Sequence, residues 1–186
     1  QLAVLYSESV QKDPTNDEYY TKAIDFSKKT LETFPSSQNQ HLANMAFTIG
    51  NLYQQKNQID SAIVYYLLSD SYLPEEKDVL QNLLICFIQK KRWKEVEITT
   101  GNLLNMEIKD VIMFQNILSV YEAHAVNEIL IENLLNQLKI NPNDKERTGY
   151  LKLYVASVYF DLDKVQAKNW LAQSESDFKV CYDKDH

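Results

Sequence analysis

Thirty-four residues separate Ala46, Ile49, Gly50, Tyr53, Ala62, Tyr66 and Pro74 from a second set of similar character, Leu80, Leu83, Leu84, Phe87, Val96, Thr100 and Ile108. The same step reaches a third set, Phe114, Ile117, Leu118, Tyr121, Leu130, Leu134 and Pro142. A fixed period of this length belongs to chains built from stacked helical units, and it leaves few other folds open. Stacked units make extended surfaces rather than enclosed reaction centres. The period therefore speaks to how such a chain binds more than to what it binds.

Within each unit the apolar residues recur at helical spacing, in two blocks divided by a polar break. One break is Gln54-Gln55-Lys56-Asn57-Gln58, where Asn57 or Asp60 is placed to cap the following helix. The next is Gln89-Lys90-Lys91-Arg92, followed by Trp93, which falls on the period of a packing residue. Each unit thus reads as two antiparallel helices with a short connection, and neither helix can bury its apolar stripe alone. The ends are less regular. Ala23, Ser27 and Pro35 reproduce the spacing of Ala62, Tyr66 and Pro74. Their partner helix would hold Leu2, Ala3 and Tyr6, joined by a long connection through Asp13-Pro14-Thr15-Asn16-Asp17. The chain starts at Gln1 rather than Met, and this first helix reads as the second half of a longer one. Extra residues around Ser36-Ser37-Gln38-Asn39-Gln40 precede the clearest unit. A last helix pair carries Val155, Ala156, Tyr159, Ala167 and Leu171, with a connection one residue short. The segment from Gln173 to His186 is polar and serves to cap the stack or to fray.

Composition narrows the function classes. Only three Gly and four Pro occur, too few for sandwiches, barrels or a glycine-rich phosphate cradle. A formal charge of −7 disfavours nucleic acid and anionic membrane surfaces. The longest apolar run, Leu83 to Ile88, is far too short to span a bilayer. Two cysteines give no disulfide framework, and Cys86, inside that run, reads as buried. Neither compartment nor oligomeric state can be read from these features.

The run Ala46-x2-Ile49-Gly50-x2-Tyr53, then Ala62-x3-Tyr66, then Pro74, resembles the tetratricopeptide (TPR) repeat, with Ala46 in the place of the usual Trp. The resemblance implies an all-α fold, a right-handed α-α superhelix of antiparallel helix pairs. It implies one domain over 1–186: repeats at about 43–76, 77–110 and 111–144, a degenerate repeat at about 1–37, and a degenerate capping repeat at about 145–186. Gly50 and Ala62 are small where two helices would cross, and Tyr53 and Tyr66 would fill the space beside them. In the second repeat Leu84 replaces Gly50, Val96 replaces Ala62 and Thr100 replaces Tyr66, so volume is kept only in combination.

In proteins similar to this, the first helix of each repeat lines a concave groove that holds a polypeptide segment. That pattern places Phe47, Thr48, Asn51, Gln54 and Gln55 in the groove, then Gln81, Asn82, Ile85 and Gln89, then Gln115, Asn116, Ser119 and Glu122. TPR co-chaperones grip a terminal carboxylate with two Asn and three basic residues. The corresponding places here hold Phe47, Asn51, Asn82, Ile112 and Asn116, with no cation, so charge-assisted contacts to a carboxylate are missing. Asn82 and Asn116, one repeat apart, instead suit a ladder, since one carboxamide both donates to a carbonyl and accepts from an N–H. Ordinary solvated amides explain the same residues, and both readings stay open. Phe47 and Ile85 would add apolar anchoring.

The remaining features point to no chemistry. Lys90-Lys91-Arg92-Trp93-Lys94 is basic with an aromatic, but it falls in a connection, where solvated charge is normal. His41, His124 and His186 are dispersed and indicate no metal site. Asp13-x-Thr15-x-Asp17 lacks the glycine and terminal Glu of a calcium loop. Glu75-Glu76 reads as helix-start charge, and Tyr65, Tyr66, Tyr150, Tyr154 and Tyr159 as core or groove-edge residues. No nucleophile motif, phosphate loop or cofactor signature occurs, so the expectation is a non-enzymatic scaffold or adaptor that binds a protein partner. The alternatives are a regulatory portion of a larger signalling protein and a self-assembling structural module.

Overall fold

The computed structural model describes residues 2–33, 35 and 37–182, and among them finds ten α-helices and no strand. They are α1 (Leu2–Lys12), α2 (Asp17–Thr33), α3 (Asn39–Gln55), α4 (Ile59–Tyr72) and α5 (Lys77–Gln89), then α6 (Trp93–Met106), α7 (Val111–Ala123), α8 (Asn127–Ile140), α9 (Lys145–Tyr159) and α10 (Lys164–Tyr182). The sequence period is reproduced in the helix starts: α4, α6 and α8 each begin 34 residues after the last, and so do α5, α7 and α9. Prolines 74 and 142 fall just past the ends of α4 and α8, where a residue without an N–H cannot continue a helix.

The turns inside three repeats are built alike. Asn57, Lys91 and Ala125 lie 34 residues apart and adopt positive φ of 56°, 55° and 54°. Each follows a helix and closes it with the same two bonds. Asn57 N–H donates to Gln54 O (2.8 Å) and Gln58 N–H to Tyr53 O (2.9 Å). Lys91 and Arg92 do the same to Ile88 and Phe87, and Ala125 and Val126 to Glu122 and Tyr121. This is the Schellman closure, which satisfies the last carbonyls and needs a left-handed residue, normally Gly. None of the three is Gly. The expected caps are therefore absent: Asn57 ends α3 rather than starting α4, whose N-cap Gln58 makes no side-chain bond. Asp60 lies within the first turn of α4 and pairs with Lys90 at 2.8 Å.

The chain divides into two compact units, residues 1–93 and 94–186, with the division at the start of α6. In the first unit, Val10, Tyr20, Ala23, Ile24, Ile49 and Leu52 form a core over which Tyr6, Tyr19, Leu31, Tyr53 and Tyr65 fold. Gly50 is required where it stands. A Cβ there would meet Tyr66 Cδ1 and Cε1 at 2.6 Å, so the crossing of α3 and α4 is set by that missing atom. Ser69 Oγ, buried, donates to Ala43 O at 2.9 Å and ties the two helices together. Lys28 donates to Tyr53 Oη at 2.7 Å and lies over the stacked rings of Tyr53 and Tyr65, and that hydrogen bond raises its pKa.

In the second unit Tyr154 stacks on Phe114 with centroids 3.9 Å apart, and both are buried. Tyr121 Oη is 2.7 Å from Thr100 Oγ1 and accepts from Asn133 Nδ2 at 3.0 Å. Ser174 Oγ donates to Gly149 O at 2.8 Å, repeating the Ser69–Ala43 tie with a sequence separation of 25 in place of 26. That single residue is the shortened connection expected between Tyr159 and Ala167. Asp177, 6% exposed, accepts from Thr148 Oγ1 at 2.9 Å and from Lys152, with Lys145 at 3.3 Å. The end of α10 is thus anchored as far as it is described, and His186 lies outside the described residues.

Three further expectations are corrected. The first connection is short, because α1 continues to Lys12, buries Val10, and α2 already begins at Asp17. Asn39 and Gln40 are the first turn of α3 rather than an inserted loop, while Ser36 lies outside the described residues. Trp93 opens α6 at 38% exposure and is not a core residue. Cys86 is fully buried, as expected.

Candidate functional site

The α3 residues Asn44, Thr48, Asn51 and Gln55 follow one another at helical spacing and border a cavity of about 500 Å³ between α1, α2 and α3. Of the groove residues expected from sequence, Thr48, Asn51 and Gln55 line it. The opposite wall comes from α1, through Ala3, Ser7 and Gln11, a small-and-polar stripe at four-residue spacing. Val10, Leu31, Leu42, Met45 and Leu52 make the apolar floor. Neither Lys nor Arg lines the cavity; its ionisable residues are Glu8 and His41.

Beside the cavity, four of the expected residues gather on one phenol. Tyr66 Oη lies 2.7 Å from Asn51 Oδ1 and 2.5 Å from Gln54 Oε1. A phenol carries a single hydrogen, so the two oxygens share one donor. Burial raises the Tyr66 pKa well above its ordinary value, with Cys86 adding in the same direction, and the hydroxyl stays a donor through the neutral range. Asn82 Nδ2, on α5, donates to Asn51 Oδ1 at 3.1 Å. Phe47 is half-buried and packs on the Tyr66 ring with centroids 5.7 Å apart. The first helices of two successive repeats are thereby joined through carboxamides. Gln81 is half-buried and its Nε2 makes no hydrogen bond, Ile85 is half-buried, and Gln89 is exposed.

The last three expected residues lie in the other unit. Gln115 and Asn116 are exposed on α7, and Ser119 Oγ donates back to Gln115 O at 2.9 Å. Sequence reasoning missed the walls of the cavity contributed by α1 and α2, together with His41 and Asn44. The spacing of Ala3, Ser7 and Gln11 carried the signal, but nothing in the repeat pattern pairs that stripe with α3. Among the described residues no cluster of three His, Cys, Asp or Glu is arranged to hold a metal, and no helix is long and apolar enough to cross a membrane.

No protein-family model matches the chain, and no curated protein does. Solved structures do match. A crystal structure of MamA aligns over 94% of this chain and 95% of its own, at 11% identity and TM-score 0.53. A kinesin light chain-like protein of Podosopora anserina with nearly identical TPR-like repeats aligns over 98% of both chains, at 11% identity and TM-score 0.55. BtubC from P. vanneervenii aligns over 97% of this chain and 88% of its own, at 14% identity and TM-score 0.50. Identities this low speak to fold alone. Ten helices in antiparallel pairs, a 34-residue period in both helix starts and turns, and these likenesses make the chain a tetratricopeptide-repeat fold.

Proposed function

We propose that this chain is a protein-interaction module that binds a polypeptide segment along the first-helix face of its repeats, and that it carries out no catalysis itself. The observation behind this reading is the Asn82–Asn51 hydrogen bond linking α5 to α3 at the edge of an open cavity. Asn82 gives one amide hydrogen to Asn51, which leaves a second hydrogen and its oxygen for a partner's backbone. Phe47 and Ile85 offer apolar contact on either side, and Gln115, Asn116 and Ser119 offer a further polar surface on α7. A carboxylate terminus is disfavoured as the partner's recognised group, because no cation borders the cavity.

Peptide-display selection on the immobilised chain, followed by titration of the selected sequences, tests the reading. Asn82→Lys should weaken selected peptides by tenfold or more, roughly the worth of a lost buried polar contact. Ser176→Lys, an equal charge change at an exposed site on α10, should leave them unaffected. Failure to select any peptide, or equal loss from both substitutions with helicity intact, overturns the proposal.

A further inference from the structure

The cavity between α1, α2 and α3 holds one polar atom whose bonding is incomplete. Ser27, on α2, lines the cavity and is 0% exposed, yet its Oγ has no hydrogen-bond partner. Its neighbours on α2 behave differently: Thr21, Thr30 and Thr33 each donate back to a carbonyl one turn earlier. A buried hydroxyl left unpaired costs about 1–3 kcal/mol, so an occupant that reaches it gains directly. The rest of the floor is aliphatic, while the rim carries hydroxyl and carboxamide groups from Ser7, Asn44, Thr48 and Gln55.

We propose that this cavity is a pocket for a tyrosine side chain presented by a bound polypeptide. The proposal deepens the peptide-binding reading and rests on it. An apolar ring suits the floor of Val10, Leu31, Leu42, Met45 and Leu52. The ring's hydroxyl pairs with Ser27 Oγ, which both donates and accepts. The rim carboxamides meet the backbone on either side of the tyrosine. Charge selects in the same direction. Glu8 is the only formally charged residue lining the cavity at neutral pH, so a carboxylate or phosphate is repelled and a neutral phenol is accepted. The volume, about 500 Å³, lies in the ordinary range for a site of this kind.

Amide chemical shifts of the full chain during titration with p-cresol, the free tyrosine side chain, test the pocket, with toluene as the same ring without the hydroxyl. Saturable shifts are expected at Ala3, Ser27, Leu31 and Leu52. Ser27→Ala should weaken p-cresol about fivefold, the worth of one net hydrogen bond, and leave toluene unchanged. Thr48→Trp, which fills the mouth from a half-buried position, should abolish both. N-acetyltyrosinamide, which adds backbone amides, should bind about tenfold tighter than p-cresol. An absence of saturable shifts overturns the pocket. Equal weakening of toluene overturns the role of Ser27, and equal affinity of N-acetyltyrosinamide and p-cresol overturns the polypeptide as occupant. The two readings fail separately. Selected peptides that depend on Asn82 while p-cresol is silent remove the pocket alone; p-cresol binding with peptides indifferent to Asn82 removes the Asn82 groove.

Discussion

Replacing Gly50 with Leu and Tyr66 with Thr, singly and together, tests whether the α3–α4 crossing is set by one missing side chain. A Cβ at Gly50 would lie 2.6 Å from two carbons of the Tyr66 ring, whereas relaxed carbon contacts need about 3.5–4.0 Å. The ring is 0% exposed and its hydroxyl is held between Asn51 and Gln54, so it cannot swing aside. Gly50→Leu alone should cost about 3 kcal/mol, at the upper end for overpacking. Tyr66→Thr alone removes a buried ring and should also cost about 3 kcal/mol or more. Together the new side chain enters the space the ring vacates. The pair should therefore be at least about 2 kcal/mol less costly than the sum, as expected for residues in direct contact. The sequence carries this exchange itself, since Leu84 and Thr100, both buried, stand 34 residues after Gly50 and Tyr66. Urea unfolding followed by helical circular dichroism measures all four proteins. Costs that add to within about 0.5 kcal/mol would refute the steric argument.

Ala125→Gly should stabilise the chain by about 0.5–1 kcal/mol, raising Tm by a few degrees, because Ala125 is exposed at φ 54° and only Gly adopts that region without strain. Ala172→Gly, exposed in the middle of α10, should cost about 0.5–1 kcal/mol, and a shared sign for the two would contradict the turn geometry. Burial would raise the Asp177 pKa, but hydrogen bonds from Lys152 and Thr148 and the Lys152 charge outweigh it and hold the carboxyl below its ordinary value. A depressed folded pKa means stability that is present above the unfolded pKa, about 3.9, and is lost as pH falls through the folded value. Asp177→Asn should therefore destabilise at neutral pH and approach the parent at about pH 3, which unfolding across a pH series would detect. Burial pushes the Cys86 thiol up to about 11, so a thiol reagent at neutral pH should modify Cys181 first and Cys86 only on unfolding. Equal rates at both would show that Cys86 is accessible.

How far the sequence could be read depended on which interactions repeat. Helix boundaries followed the 34-residue step, because apolar spacing and proline position act within each repeat. The Gly50–Tyr66 contact was legible for the same reason: a glycine and a large aromatic sixteen residues apart fit only one helix crossing. Connections were read less well. Polar residues near Asn57 looked like a helix start, but left-handed backbone at that position serves the end of α3, and a propensity for φ > 0 does not declare which helix it closes. Trp93 kept the period and lost the burial, since the first residue of a helix sits on the period whichever way its side chain faces.

The carboxamides carry a different lesson. Composition places Asn51, Gln54 and Asn82 on the first-helix face, and each then reads as a free group. Their bonding depends on Tyr66, which belongs to the second helix and looks, by spacing, like packing alone. With its phenol held protonated by burial, Tyr66 orients Asn51, and Asn51 orients Asn82. An exposed side chain typically costs about 0.5–1.5 kcal/mol to immobilise on binding, and an amide already fixed by its neighbours has met that cost in folding. The same bonds that take one hydrogen of Asn82 out of use therefore favour its remaining donor and acceptor as recognition groups. A fixed amide beside an apolar cavity is a more selective surface than a row of solvated ones, because a mismatched partner leaves it unpaired.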